Sequence, residues 1–333
     1  MNLLNSHLEQ DPSTCVLNVG TKILRKDLMD QFIRTLGDYK TYYAANMSWA
    51  LRTLNEKRID IIICEAELEN GGSAYRLRQL MPFEASQIYT IVALDEDAST
   101  KNHAGFKALA EEIDANAVIA SPFNAEHIRS HFALYHLWVK EQAEPWRAQL
   151  RKAMEYHQAK LDQQATRSFL NSIQAAPGNA IPLCKAGIYF IGKSEFVMAE
   201  KYLKEALALR PDYVQAMSVL GILYLSQGKL EESEKLLTTA QNLSPLNPDR
   251  LVKIGLLHLS RAVKSCRSSL NLDSSQTQAR LTLAKFLIAQ KDYVNALREL
   301  DTMLLNHGLS ENELKEVKGF SALARKLGGI AKD

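Results

Sequence analysis

The chain has 333 residues, 46% hydrophobic and 23% charged, the balance of a globular protein with room for two or three domains. No apolar run approaches the roughly 18 residues a membrane-spanning helix needs. The opening MNLLNSHLEQDPST lacks the basic start and apolar core of a secretory leader, so a cytoplasmic location without membrane association is expected. The net charge of +2 conceals an asymmetry: residues 1–145 carry 14 basic and 20 acidic side chains, residues 146–333 carry 26 and 18. Such a split marks two domains of different character, and it permits attraction between them or steering of an acidic partner. Lys and Arg are spread among acidic neighbours with no basic cluster interleaved with aromatics, so nucleic acid is not an expected partner. Cys15, Cys64, Cys184 and Cys266 stand far apart, and the eight histidines form no HExxH pairing. Metal ligands cluster, so no metal or other cofactor is expected, and the cysteines read as buried thiols.

Taken in chain order, residues 14–138 alternate short apolar runs with amphipathic stretches. The strand candidates are Cys15–Val19, Thr41–Ala45, Ile59–Cys64, Ile88–Leu94 and Ala117–Ala120. Helical patterns fall near 25–36, 47–56, 73–80, 101–113 and 124–138. Strict alternation of this kind predicts a doubly wound α/β domain, a five-stranded parallel sheet covered on both faces. In such a sheet ligand chemistry sits at the C-terminal ends of the strands.

The run Asp60-Ile-Ile-Ile-Cys-Glu65-Ala-Glu-Leu-Glu-Asn-Gly71-Gly resembles the third strand and following loop of a response-regulator receiver domain. Ser121-Pro122-Phe123 resembles that family's Lys-Pro-Phe/Tyr corner after the fifth strand. The resemblance covers about 125 residues. It implies a flavodoxin-like fold, and it implies phosphorylation chemistry that depends on particular side chains: two acids after the first strand for Mg²⁺, an aspartate nucleophile, a Ser or Thr switch and a Lys. Here Gly20 and Thr21 replace the acids, Glu65 the nucleophile, Asp95 the switch hydroxyl and Ser121 the lysine. Val118 replaces the usual aromatic of the fifth strand. Each change weakens phosphoryl transfer, because the metal loses its oxygen ligands and no cation offsets the phosphoryl charge. Two readings of Glu65 stay open: a permanent charge that partly imitates phosphorylation, or a remnant with no signalling role. Receiver domains pair through the fourth strand, its helix and the fifth strand, which leaves a homodimer open.

The stretch 139–147 (VKEQAEPWR) contains Pro145 and little Gly or Ser, and predicts a short, stiff junction. Beyond it, glycines 187, 221 and 255 stand 34 residues apart, and so do prolines 177, 211 and 245. That period marks stacked helix–turn–helix units, each with an apolar face it cannot bury alone. In 180–213, Leu183, Ala186, Gly187 and Phe190 lie on a first helix, and Ala199, Leu203 and Ala206 on a second. In 214–247 the same places hold Met217, Leu220, Gly221 and Tyr224, then Ser233, Leu237 and Ala240. Small residues let the helices approach, and Pro stops the second helix. The pattern resembles the tetratricopeptide repeat (TPR), which implies an all-α solenoid over 148–328. A looser unit precedes at 146–179. The unit beginning at 248 loses about five residues, including its turn, leaving either one continuous helix or a tightened pair over 256–272. Residues 311–328, with Ser310 as N-cap, read as a capping helix.

In such stacks the resemblance places the first helix of each unit on the concave face. The inward positions are Ile181, Cys184, Ile188 and Ile191, then Gln215, Ser218, Ile222 and Leu225, then Val252, Leu256 and Leu259. They read as a largely apolar groove, filled either by a partner helix or extended peptide or by another part of this chain. No P-loop, GxSxG or paired-carboxylate pattern points to an enzyme, and Asn70-Gly71-Gly72-Ser73 fits a turn better than a phosphate cradle. Together the resemblances imply a cytoplasmic adaptor or regulator in a bacterial two-component pathway. Its groove would hold a protein such as a sensor kinase or another response regulator. A phosphorylation-dependent response regulator with repeats as output is the alternative.

Overall fold

The computed structural model describes residues 14–37, 39–68, 72–81, 88–305 and 309–330, without the side chains of Arg34 and of residues 96–103. Glu69, Asn70 and Gly71, part of the expected turn, lie outside the described residues. Two units pack separately, one within Met1–Val219 with Ala240–Asn247, the other within Leu220–Thr239 with Pro248–Asp333.

The first unit opens with β1 (Thr14–Val19), α1 (Lys26–Arg34), β2 (Tyr39–Ala44), α2 (Met47–Glu56), β3 (Ile61–Glu65) and α3 (Ala74–Leu80). It continues with β4 (Tyr89–Leu94), α4 (Glu96–Glu112), β5 (Ala117–Ala120) and α5 (Ala125–Glu141). The sheet order is β2-β1-β3-β4-β5, and every pairing is parallel. This is the doubly wound order of the flavodoxin-like fold. Every residue of β3 and of β4 is buried, as a strand covered on both faces requires. Side chains alternate between two cores, with Leu17, Ile62 and Val92 in one and Val16, Ile61, Ile63 and Ile91 in the other. Asn46, Ser73 and Asn124 cap α2, α3 and α5 by accepting from the Trp49, Arg76 and His127 amides. Helix α4 starts five residues before its expected position, and α5 runs three residues further. The α5 extension carries Trp138, which packs on Tyr89 and Tyr135.

Helices α6 (Pro145–Gln158), α7 (Asp162–Ala175), α8 (Ala180–Gly192) and α9 (Phe196–Leu209) follow, and α10 (Val214–Ser226) begins in the same unit. Ser172 donates to the Trp146 carbonyl at 2.8 Å, tying α7 to the start of α6. Phe169 stacks on Tyr189 and Phe190 on Tyr202, joining α7 to α8 and α8 to α9. A Cβ built on Gly187 would lie 2.6 Å from Leu203 Cγ, so glycine is what lets α8 and α9 close on each other.

In the second unit, which includes most of α11 (Leu230–Leu243), a Cβ on Gly221 would meet Leu237 Cγ at 2.9 Å, repeating that contact one period later. Ser233 reinforces it by donating to the Gly221 carbonyl at 2.8 Å. The shortened repeat is one 25-residue helix, α12 (Pro248–Leu272). With the turn deleted, nothing between Gly255 and Leu272 breaks the helix, since that stretch has neither Gly nor Pro. Gly255 keeps the register yet has no atom within 4 Å of a built Cβ. The paired pattern resumes in α13 (Thr277–Ala289) and α14 (Tyr293–Leu305), and α15 (Glu311–Gly328) closes the chain. Ser310 and Glu313 form a reciprocal capping box at its start.

Candidate functional site

The C-terminal ends of β1, β3, β4 and β5 carry Gly20, Glu65, Asp95 and Ser121, the positions at which chemistry was expected. Glu65 ends β3 and is 2% exposed. Its carboxylate is turned inward: Oε1 accepts from the backbone amides of Ile23 at 2.7 Å and Leu24 at 2.9 Å. Those amides belong to the segment that leads from β1 into α1. Gly20 makes room for this arrangement. Its φ is +136°, and a Cβ there would sit 2.2 Å from Glu65 Cδ. The Gly20 amide donates to Ala44 O at 3.0 Å, which fixes the segment against β2.

Thr21 is exposed beside this loop, and Asp95 and Ser121 are half-buried. The Ser121 amide donates to Leu94 O at 2.8 Å, so the ends of β4 and β5 stay together. The Ser121–Pro122 peptide is cis. Next to Glu65, burial first and the neighbouring carboxylate second push the Cys64 thiol up. The result is a carboxylate that holds a loop.

The repeat helices of the first unit carry the other candidate residues. Cys184 is fully buried, Ser218 is 8% exposed, and Ile181, Ile191 and Gln215 are half-buried. What covers this face is the end of α4 and the corner that follows. Ser218 Oγ and Ser244 Oγ donate to the two Glu112 carboxylate oxygens, each at 3.2 Å. Gln215 Nε2 donates to the Glu112 carbonyl at 3.3 Å. The Gln215 carboxamide is oriented in turn, because its oxygen accepts from Tyr213 at 3.1 Å and from the Cys184 thiol at 3.8 Å. Lys185 pairs with Asp114 at 2.6 Å and Arg210 with Glu111 at 2.8 Å. Tyr75 of α3 donates to Asn247 Oδ1 at 3.1 Å. From the sheet side, Arg78 donates to the Ile113 and Asp114 carbonyls, both at 3.0 Å, and fixes the corner. Burial pushes the Arg78 guanidinium down from its ordinary value and the Cys184 thiol up to about 12.

Further along α8, Ile188 stays 38% exposed. In the second unit Ile222 is 37%, Leu256 39% and Val252 61% exposed, while Leu225 and Leu259 are half-buried. The acidic corner Glu111-Glu112-Ile113-Asp114 and its partners Lys185, Arg210 and Ser244 escaped the reading of repeats and motifs. One signal was present: two glutamates close a helix whose last turn holds no basic residue, against the helix dipole.

Residues 191–250 match the tetratricopeptide repeat family. No curated protein sequence matches the chain. Among solved structures, the chain is similar to pilF of Pseudomonas aeruginosa at 20% identity, covering 57% of this chain and 89% of that one, with a TM-score of 0.33. It is also similar to the chemotaxis response regulator CheY4 of Vibrio cholerae at 17% identity, covering 37% of this chain and 98% of that one, with a TM-score of 0.32. The Arabidopsis OM64 TPR domain is 21% identical over 34% of this chain and 95% of its own, with a TM-score of 0.33. The chain joins a doubly wound α/β half to a helical half whose residues 191–250 match the repeat family. No helix among the described residues is long and apolar enough to cross a membrane.

Proposed function

We propose that this protein is a cytoplasmic signalling adaptor of a two-component pathway that works by protein contact and not by catalysis. Its receiver-like half, over 14–138, keeps the fold without the phosphorylation chemistry, and the repeats over 148–328 hold the partner. One observation carries this reading. The carboxylate at the acceptor position, Glu65, is buried, points inward and is engaged through Oε1 by the Ile23 and Leu24 amides. A phosphoryl acceptor needs an oxygen that a donor can approach in line, and at 2% exposure this side chain offers no open approach. Gly20 and Thr21 supply no carboxylates to hold Mg²⁺ beside it. The inward, hydrogen-bonded carboxylate also favours a structural role for Glu65 over imitation of a phosphorylated aspartate. For the partner, Ile188 in one unit and Ile222, Val252 and Leu256 in the other offer exposed apolar side chains on first helices.

Incubating the full chain with acetyl phosphate and Mg²⁺, followed by intact-mass spectrometry, should give no phosphoryl adduct. An acid-labile adduct at Glu65 would return the reading to a phosphorylation-driven regulator. Co-purification of a partner should be lost on Ile188→Glu or Ile222→Glu, and a partner that survives both would place the binding surface elsewhere.

A further inference from the structure

We propose that the acidic end of α4 is a built-in lock on the first repeats, a segment of this chain that must leave before a partner can reach Cys184, Gln215 and Ser218. The inference rests on the adaptor reading, and it names the first occupant of the repeat face as the chain itself. The carboxylate of Glu112 is received by two serine hydroxyls, and its carbonyl by an oriented carboxamide. Asp114 and Glu111 each meet a cation of the repeats, Lys185 and Arg210. These acids do nothing for their own helix, because negative charge at a helix C-terminus opposes the dipole. They are explained by what they touch across the seam.

The seam is also built to part. The contacts of Glu111, Glu112 and Asp114 with the repeats are hydrogen bonds and ion pairs, the kind found in separable interfaces within a chain. The Asp114 and Glu111 side chains remain 50% and 55% exposed while paired, so salt and competing carboxylates reach them. A cleft of about 420 Å³ runs along it, bounded by Arg78, Trp138, Trp146, Lys185 and Arg210. The corner also lies at the opposite end of the strands from Glu65. Asn116 donates its amide to Thr90 O near the start of β4, whereas Glu65 pairs with Ala93 near its end. The lock is therefore separate from the old acceptor pocket, and competition at the repeats opens it.

Maleimide labelling of the full chain, read by peptide mass spectrometry at Cys184, tests this. Cys64 in the sheet core reports on the fold. Glu112→Lys and Asp114→Lys should each label Cys184 at least tenfold faster than the wild type, with Cys64 unchanged. Raising NaCl to 0.5 M should move the wild type in the same direction. Adding Lys185→Asp to Asp114→Lys should restore slow labelling, which a general loosening would not. Rates at Cys184 within twofold of wild type in both single variants, or failure of the restored pair to protect, would overturn the lock. If Glu112→Lys also exposes Cys64, the Asp114–Lys185 exchange decides. A phosphoryl adduct at Glu65 would remove the adaptor reading without changing any of these rates.

Discussion

Replacing Gly20 with Ala separates a loop-holding Glu65 from an idle one. At φ +136° an alanine is strained, which costs about 1–3 kcal/mol. Its Cβ would stand 2.2 Å from Glu65 Cδ, so the carboxylate must leave the Ile23 and Leu24 amides. Each hydrogen bond to a charged acceptor is worth about 1.5–3 kcal/mol. Against this, the smaller conformational freedom of alanine in the unfolded chain returns about 0.4–1 kcal/mol. The net expectation is a loss of roughly 3–8 kcal/mol. Glu65→Ala alone leaves the same two amides unsatisfied, at about 1–3 kcal/mol each. In the double variant the clash is gone and the amides are already lost, so Gly20→Ala there costs only its strain. Urea unfolding of the four proteins should therefore give a coupling energy of about 2 kcal/mol or more between the two positions. Additivity within about 0.5 kcal/mol would show that Glu65 does not occupy the space Gly20 leaves, and the structural role assigned to it would fall.

Gly187→Ala and Gly221→Ala should each destabilise by about 1–3 kcal/mol in thermal melts, because their Cβ atoms run into Leu203 and Leu237. Gly255→Ala, with open space around it, should stabilise by up to about 1 kcal/mol through helix propensity. Ser310→Ala removes the α15 cap and should cost about 0.5–2 kcal/mol, read as early loss of helical circular dichroism. The same cap sets a pH dependence. The Ser310 hydroxyl, and then its amide, hold the Glu313 carboxyl below the usual glutamate range. Its contribution is complete above that range and fades as pH falls through the lowered folded value. Protection against hydrogen exchange at the start of α15, corrected for the intrinsic rate, should fall in acid in the wild type, and Glu313→Gln should abolish that pH step.

The legible parts of the chain are those where a residue type answers to a local steric demand. Gly187 and Gly221 recur because a helix lies against each, so the period could be read directly. Gly255 recurs without that job, and the sequence betrays this only through the residues missing after it. The strands were visible as apolar runs because both faces of β3 and β4 are covered. Their spatial order, β2-β1-β3-β4-β5, is absent from any run and entered through the family resemblance. At the pocket, Gly20 read as a lost acid. Its geometry shows a second function, room for the Glu65 carboxylate, which depends on where the Ile23 and Leu24 amides lie. The seam was the least legible part, because Glu112 meets Ser218 and Ser244 across 106 and 132 residues of chain. The two glutamates that close α4 and the opposed charges of the two halves were its hints.

Magnitudes decide whether that seam is a fixed joint or a lock. Arg210 and Glu111 are 41% and 55% exposed, so their pair contributes only about 0.2–1 kcal/mol. Lys185, at 16% exposure, is better shielded than its partner Asp114 at 50%, which places that pair toward the top of the same range. The hydrogen bonds to Glu112 exchange water for serine and glutamine donors, at about 0.5–1.5 kcal/mol net each to the neutral carbonyl and somewhat more to the carboxylate. Together these hold the corner by a few kcal/mol, enough to keep the closed form dominant, since each 1.4 kcal/mol is a factor of ten. Typical protein associations in the micromolar range release about 8 kcal/mol, which exceeds that hold. A partner can therefore displace the corner and still bind, with its intrinsic affinity scaled down by the open fraction. Removing the Asp114 and Glu112 charges should accordingly tighten partner binding about tenfold or more, mostly through the association rate at low salt. A partner that binds wild type and charge-reversed protein equally would show that the corner guards nothing.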